Sequence, residues 1–198
     1  MHYQQPSITL ASSSQYRQAL LNKFGIAFTA IAPNIDESAL PNEDPVALVS
    51  RLAKKKAKTV AQHCDATLII ASDQVACLHD TILTKPGNAA NAFIQLQQCS
   101  GQTVTFYTSL VVYNTQTKEM DIEVEPYIVG FKTLSDEQIR GYIDKEQPFA
   151  CAGSFKCEGL GIALFSFLKG KDFNTLIGLP MMALSRLLAK HNIDVLTC

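Results

Sequence analysis

Apolar residues are spaced along the chain in two ways, as short runs typical of buried strands and at three- and four-residue intervals typical of helices. The apolar run at 8–11 predicts a short strand, and 27–31 predicts a second one. Between them, Ser12, Ser13 and Ser14 are N-cap candidates for a helix that ends at Phe24, with Gly25 directly after it.

A longer helix and a buried strand follow. Asp44 can cap a helix that has Pro45 at its first position and runs to about His63. The segment 66–71 is a nearly continuous apolar run that ends in Ser72-Asp73-Gln74. This pattern predicts a buried central strand that carries polar groups at its C-terminal end.

Helices and strands continue to alternate in the second half. The predicted elements are a turn at His79-Asp80, a helix at 88–99 stopped by Gly101, strands at 103–113 and 121–131 joined by a turn at 114–118, a helix opened by a capping box at Ser135 and running to about Lys145, a strand at 160–165, and a final helix that follows Leu179-Pro180 and runs to about His191. This alternation implies an α/β fold, and the two adjacent long strands imply that part of the sheet is antiparallel.

Composition and charge limit the class of protein. The 198 residues, 47% hydrophobic and 18% charged, fit one globular domain that spans 1–198. Seventeen basic and eighteen acidic residues give a net charge of -1, so there is no electrostatic basis for binding a nucleic acid polymer. No apolar stretch approaches the ~20 residues that span a bilayer.

The cysteines and the N-terminal residues indicate the cellular compartment in which the protein is expected. The six cysteines include no C-x-x-C pair, and we interpret them as reduced thiols. Residues 1–6 are polar and lead directly into a strand-like run, so no secretory signal is expected. Both features predict a cytoplasmic protein, and a homodimer is the expected assembly because two-fold assemblies are common.

Two basic residues are candidates for binding phosphate. Arg17 lies in the first turn of the helix that follows the serines, where free N–H groups attract anions. The alternative is that the serines are plain caps. Lys56 falls on the apolar face of the helix that begins at Pro45, either as a phosphate ligand or as a lysine extending from the edge of the core.

Two acidic residues are candidates for metal-assisted hydrolysis. Asp73 follows the most buried predicted strand, and ligands of open α/β sheets bind beyond the carboxyl ends of such strands. A carboxylate there can hold a divalent metal or deprotonate a water, or it can simply cap a turn. Glu37 is a possible second metal ligand, although acidic loop residues are usually only solvated.

Several familiar motifs are missing. The sequence has no Walker A loop and no G-x-S-x-G elbow, and its four histidines have no metal-ligand spacing, which argues against zinc. Cys157 has no histidine near it in sequence, so an activated thiol is not expected.

An ordered set of short segments resembles the Maf (septum-formation) family of nucleotide pyrophosphatases. The matching segments are Leu10-Ala11-Ser12-Ser13-Ser14 with Arg17, Ile35-Asp36-Glu37, Lys56-Ala57, Ser72-Asp73-Gln74-Val75, Lys85-Pro86, Ala152-Gly153-Ser154-Phe155, Glu158-Gly159, and Asn174 with Gly178-Leu179-Pro180. They occur in family order and cover almost the whole chain. The set is specific although each segment is weak.

The resemblance implies a fold and a reaction. The fold is α/β of the Maf and inosine-triphosphatase type, with a central mixed sheet flanked by helices and a cleft between two lobes. The reaction is hydrolysis of a nucleoside triphosphate to the monophosphate and pyrophosphate, dependent on a divalent cation such as Mg²⁺, Mn²⁺ or Co²⁺. Asp73 becomes the proton acceptor and, with Glu37, a metal ligand. The residues placed around the triphosphate are Ser14, Arg17, Glu37, Lys56 and Lys85.

Within the family, Gln74, Lys156 and Glu158 resemble the branch that acts on 7-methyl-GTP. That branch usually carries proline, tryptophan and arginine where this chain has Gln15, Tyr16 and Gln18. Methylation leaves the guanine ring cationic, so Tyr16 can add a cation–π contribution of roughly 0.5 to 2 kcal/mol. Glu158 can accept hydrogen bonds from the guanine N1–H and amino group. Both side chains can also be rim positions without a base contact.

Two other functions remain open at this point. A pyrophosphatase for dTTP, UTP or other non-standard nucleotides would keep the same chemistry and change only the base pocket. A non-catalytic nucleotide-binding regulator of septum formation would bind nucleotide without releasing pyrophosphate.

Overall fold

Strands and helices alternate through the computed structural model, which describes residues 6–65 and 68–197. Its strands are β1 (Ile8–Leu10), β2 (Thr29–Ala30), β3 (Leu68–Leu78), β4 (Thr81–Leu83), β5 (Thr103–Asn114), β6 (Met120–Phe131) and β7 (Phe165–Lys169). Its α-helices are α1 (Gln15–Asn22), α2 (Pro45–Ala61), α3 (Ala89–Cys99), α4 (Asp136–Glu146), α5 (Phe173–Ile177) and α6 (Met181–Lys190), and two short 3₁₀ helices lie at Ala152–Ser154 and Leu160–Leu164.

These strands form one mixed sheet in the order β2-β1-β3-β5-β6-β7, and β4 pairs with β3 away from that path. β1 is parallel to both β2 and β3, whereas β4 and β7 are antiparallel to their partners β3 and β6. The predicted α/β fold with a partly antiparallel sheet is therefore confirmed.

The predicted helix starts are confirmed by their caps. Asp44 accepts hydrogen bonds from the backbone of Val46 and Ala47, with Pro45 at the first helical position. Ser135 and Gln138 form the expected reciprocal capping box. The helix ends are less regular, because α1 stops at Asn22, two residues before the predicted end at Phe24.

The central strand is longer than predicted, and Asp73 is not at its C-terminal end. Ala66 and Thr67, where the predicted strand begins, lie outside the described residues, as do residues 1–5 and Cys198. β3 continues to Leu78 because the backbone beyond Asp73 keeps its partners: Ala76, Cys77 and Leu78 pair with β4. The polar side chains at 72–74 interrupt the apolar pattern, but the strand itself continues through them.

What ends near Asp73 is the neighbouring strand. β1 pairs with β3 only as far as Leu10 opposite Ile70, and the amide of Ala11 still donates to the Ile70 carbonyl at 2.8 Å. Asp73 lies three residues beyond that last pair. The strand whose carboxyl end lies near Asp73 is therefore β1.

The strand predicted at 160–165 is also wrong. Leu160–Leu164 is a 3₁₀ helix, and the strand begins only at Phe165. The reason is local hydrogen bonding: the amides of Gly159 and Gly161 both donate to the Lys156 carbonyl, which curls the segment. Two short elements that the pattern did not indicate, β4 and α5, complete this half.

The chain divides into two compact units. The first contains residues 1–73, 108–125 and 178–198. Its core joins the apolar face of α2 to β1, β3 and β5 through Ala11, Ala53, Ala57, Val60, Ile69, Ala71 and Val111.

The second unit contains residues 74–107 and 126–177. Its core is aromatic: Phe155 meets Phe106, Phe131 and Phe165 edge to face, with ring centroids 4.8 to 5.6 Å apart. Helices α3 and α4 pack against each other and contribute Leu96 and Ile139 to the same core.

Two further predictions can be compared with the structure. Cys64, Cys77, Cys99, Cys151 and Cys157 are free thiols, as expected. Within residues 6–65 and 68–197, no helix has the length and apolar character required to cross a bilayer.

Candidate active site

Lys56 is the centre of a charged cluster in the first unit. The helical spacing puts it on the buried face of α2, and it is 5% exposed. Its Nζ lies 2.5 Å from Asp73 Oδ1 and 2.6 Å from Glu37 Oε1. One ammonium group therefore bridges the two carboxylates that the sequence analysis proposed as metal ligands, and the prediction that Lys56 faces the core is confirmed.

Asp73 is a nearly buried carboxylate, only 6% exposed. Burial raises its pKa above 3.8, against the opposing effects of Lys56 and then Arg17, and Glu37 raises it further. Its backbone amide donates to Ser109 Oγ at 3.1 Å, and Ser109 donates to the Val49 carbonyl at 2.8 Å. The carboxylate is thus held on a fixed backbone and has an increased affinity for a proton.

Arg17 is held next to this cluster by a backbone carbonyl. Its Nε donates to the Gly178 oxygen at 2.8 Å, and Ser72 Oγ donates to the same oxygen at 2.9 Å. Gly178 has φ of +123°, and an added Cβ there would lie 3.4 Å from Arg17 Nε. Burial lowers the pKa of Arg17, whereas Asp73 and Glu37 raise it, so the guanidinium belongs to the same electrostatic cluster.

Ser14 has the plain capping function that was the alternative to phosphate binding. Its Oγ accepts a hydrogen bond from the Arg17 backbone amide at 3.4 Å. This bond connects the serine-rich loop to the residue that carries the guanidinium. Tyr16, in the same turn, is 42% exposed. The substrate contacts of both residues remain predictions.

The carboxylates of Glu37 and Asp73 fit a divalent cation that needs only one or two carboxylate ligands from the protein. Because both oxygens lie within 2.6 Å of one nitrogen, they are no more than about 5 Å apart. Among the described residues, no group of three or more His, Cys, Asp or Glu side chains is arranged to hold a metal. Mg²⁺ typically uses one or two carboxylates, several waters and substrate phosphates, and a pair of acids is sufficient for that coordination.

Three other predicted site residues lie in the second unit. The Gln74 side-chain amide donates to the Thr175 carbonyl at 2.9 Å and to the Leu176 carbonyl at 3.2 Å. Glu158 is exposed and accepts from the Cys157 thiol at 3.4 Å. Lys85 is exposed as well. Glu158 and Lys85 both act on the thiol of Cys151. Burial raises the pKa of Cys151, Glu158 raises it further, and Lys156 and then Lys85 lower it.

The first unit thus brings Arg17, Glu37, Lys56 and Asp73 together, with Ser14 next to Arg17. Ser109, which is fully buried and bonds to the Asp73 backbone, was not predicted from the sequence. A serine before the apolar residues Leu110 to Val112 was the available signal. The pair formed by Arg51 and Glu43 was not predicted either, and the sequence offers no separate signal for it.

Comparison with known proteins places the chain in a family. The family profile described as "Maf-like protein" matches residues 7–191, which is nearly the whole chain. The chain belongs to the Maf family. The segments that carried the resemblance include the four charged residues that the fold of this Maf protein brings together.

Curated relatives match this Maf protein along nearly its full length. A protein of Pseudoalteromonas translucida named 7-methyl-GTP pyrophosphatase is 53% identical over 190 residues, covering 96% of this chain and 94% of that protein. A protein of Aliivibrio fischeri with the same name is 49% identical over 192 residues, covering 97% and 100%.

Among solved structures, the chain is similar to the Staphylococcus aureus Ham1 protein, with a TM-score of 0.48 and 13% identity, covering 78% of this chain and 89% of that one.

Proposed function

We propose that the protein hydrolyses 7-methyl-GTP to 7-methyl-GMP and pyrophosphate. The observation that carries this proposal is that relatives about half identical to this chain, over almost its entire length, bear the name of that activity. The charged cluster around Lys56 supports it, because carboxylates can hold a metal ion and cationic side chains can neutralise phosphate charge in metal-assisted hydrolysis.

Asp73 is the proposed proton acceptor. It takes a proton from a water that attacks the α-phosphorus in line with the bond to the bridging oxygen. That bond breaks, and pyrophosphate leaves with the bonding electron pair. Burial raises the pKa of Asp73, which makes it a better base than a solvated aspartate.

The remaining residues of the cluster bind and neutralise phosphate. Glu37 and Asp73 would hold the divalent cation, which supplies Lewis-acid stabilisation of phosphate oxygens when it is bound. Lys56 and Arg17 offset charge on the triphosphate and on the leaving pyrophosphate. Ser14 and Lys85 are proposed as further triphosphate contacts on the family resemblance alone.

Recognition of the base is proposed for three residues. The exposed ring of Tyr16 can stack on the cationic 7-methylguanine, and the exposed carboxylate of Glu158 can accept from its N1–H and amino group. Gln74 is the third, and it rests on the resemblance to the 7-methyl-GTP branch. Five free thiols accord with a reducing compartment, and we propose the cytoplasm.

Pyrophosphate release across a nucleotide panel tests this function. The panel is 7-methyl-GTP, GTP, dTTP, UTP and CTP, each with Mg²⁺, Mn²⁺ and Co²⁺. We expect the highest kcat/KM with 7-methyl-GTP. Preference for dTTP or UTP would contradict the base assignment, and tight nucleotide binding without pyrophosphate release with any metal would contradict the enzymatic function.

The variant Asp73→Asn tests the mechanism. It keeps the shape of the side chain and removes the base, so we expect turnover to fall by at least about 100-fold. Asp144→Asn, the same change at an exposed position of α4, is the matched control and should leave activity unchanged. Near-normal turnover of Asp73→Asn would show that another group accepts the proton.

A further inference from the structure

Arg51 ties a loop of the first unit to helix α2. Its Nε lies 2.6 Å from Glu43 Oε1 and its Nη2 lies 2.6 Å from Glu43 Oε2, a bidentate pair. The same Nη2 donates to the Ser38 carbonyl at 2.9 Å, and Glu43 Oε2 also accepts from the Leu40 amide at 3.0 Å. Two side chains therefore fix the segment 38–43, which has no regular secondary structure.

The loop is held on both sides of Glu37. The Ser38 carbonyl is bound by Arg51, and the Asp36 carbonyl accepts from Lys55 Nζ at 3.3 Å. Residues 51 and 55 are one helical turn apart, so they present two donors along one side of α2. Asp36 Oδ1 accepts from both the amide and the hydroxyl of Ser38, which stiffens the turn between the two anchors.

These anchors set where the Glu37 carboxylate lies. Glu37 is on a loop and its side chain is 52% exposed, so its own burial does not fix it. Its Oε1 nevertheless lies 2.6 Å from Lys56 Nζ, on the same ammonium that Asp73 contacts. Anchoring the loop backbone next to α2 keeps the Glu37 carboxylate within reach of the ammonium that Asp73 also contacts.

We propose that Arg51, through its bidentate pair with Glu43 and its bond to the Ser38 carbonyl, is a positioning residue for Glu37 and so for divalent-cation binding at the Glu37–Asp73 pair. The inference deepens the proposed function and rests on it for the role of the cation. Arg51 itself does not contact substrate in this assignment.

If Arg51 acted only through its charge, removing it would strengthen cation binding. The guanidinium is a positive charge that acts on Asp73. If charge were its only influence, its removal would increase the affinity of the site for a cation. A positioning role predicts weaker binding, because Glu37 then samples orientations away from Asp73. The sign of the change in affinity therefore distinguishes the two explanations.

The experiment is Mn²⁺ titration of the full chain without nucleotide, with free Mn²⁺ followed by electron paramagnetic resonance. For Arg51→Met we expect the Mn²⁺ dissociation constant to rise by about 10-fold or more, the range found for partners that orient metal ligands. Arg186→Met is the matched control, since Arg186 pairs with Glu123 at 2.5 Å at an exposed place in the same unit. That variant should bind Mn²⁺ like the unmodified protein.

A second variant tests the pair itself. Glu43→Gln removes the partner charge, so Arg51 keeps only the Ser38 carbonyl, and Mn²⁺ binding should weaken. The double variant Arg51→Met with Glu43→Gln should bind no more weakly than Arg51→Met alone, because both changes remove one interaction. Unchanged or tighter Mn²⁺ binding by folded Arg51→Met would overturn the proposal, as would the absence of Mn²⁺ binding by the unmodified protein.

Kinetic measurements distinguish a positioning role of Arg51 from a general loss of catalytic activity. The Mn²⁺ concentration for half-maximal pyrophosphate release should rise in Arg51→Met, while kcat at saturating Mn²⁺ stays close to that of the unmodified protein. A fall in kcat that excess Mn²⁺ does not restore would contradict positioning. If the unmodified protein released no pyrophosphate, the proposed function would fail while the Mn²⁺ titration still tested the role of Arg51.

Discussion

Asp73 shows the conflict between stability and chemistry at a single residue. Below pH 3.8 the carboxyl is protonated in the folded and the unfolded chain alike, and it adds no pH dependence. As pH rises through the raised folded pKa, the protein must hold a buried charge, and the free energy of unfolding falls. At neutral pH this residue therefore lowers stability despite its pair with Lys56.

The variant Asp73→Asn should consequently fold at least as stably as the unmodified protein at pH 7. The amide removes the buried charge, and Lys56 keeps Glu37 as its partner. Urea unfolding midpoints of the two proteins measure this directly. A clearly lower midpoint for Asp73→Asn would mean that the ion pair with Lys56 outweighs desolvation and that the acid is primarily structural.

Glu43 has the opposite pH dependence. The hydrogen bond from Arg51 is the main reason that its pKa falls from 4.5 to about 2. The stability it contributes is present above 4.5 and is lost as pH falls from there towards about 2. Glu43→Gln should therefore be less stable than the unmodified protein at pH 6, and the difference between their urea midpoints should shrink as pH falls through this window. A constant difference would contradict the assignment.

At the scale of the elements, the features predicted correctly are those that depend on residues close together in the sequence. The start of α2 at Pro45 and the capping box of α4 depend on neighbouring residues, and both were located correctly. The length of β3 was not, because its extension depends on pairing with β4, a strand with no sequence signal of its own. The 3₁₀ helix Leu160–Leu164 was missed because an apolar run of five residues fits several conformations.

In the candidate site, too, local features were predicted and long-range contacts were not. Lys56 was assigned to the core side by helical spacing alone, which is a local property. The bonds from Arg17 to Gly178 and from Asp73 to Ser109 join segments 161 and 36 residues apart. No pattern within one element contains that information, so the supporting residues appear only in the folded chain.

Two glycines provide a test at this scale. A Cβ on Gly161 would lie 2.3 Å from the Lys156 carbonyl oxygen, which is backbone and cannot move aside cheaply. A Cβ on Gly130 would meet the ring of Phe167, which is 49% exposed and can rotate away. We expect Gly161→Ala to lower the free energy of unfolding by about 1–3 kcal/mol and Gly130→Ala to lower it by less. Chemical denaturation measures both, and equal effects would contradict this comparison.

At the scale of the whole molecule, the cation site and the aromatic core belong to different units. Glu37, Lys56, Asp73 and the Arg51 anchor all lie in the first unit, whereas Phe155 and its three ring partners lie in the second. Each unit has its own hydrophobic core. The residues proposed to hold the cation and those proposed to position them are therefore all in the first unit.

Phe155→Leu tests that separation. The change removes three edge-to-face contacts, each of which contributes about 0.5–1.5 kcal/mol, and should lower the temperature of unfolding measurably. Mn²⁺ affinity measured well below that temperature should stay within about twofold of the unmodified protein, because the ring partners of Phe155 are Phe106, Phe131 and Phe165 and none of these is a proposed cation ligand or loop anchor. Arg51→Met should lose much more Mn²⁺ affinity than Phe155→Leu, although it also loses the ion pair with Glu43. If Phe155→Leu weakened Mn²⁺ binding as much as Arg51→Met does, the loss of affinity in Arg51→Met would reflect loss of stability and not the loss of an anchor for Glu37.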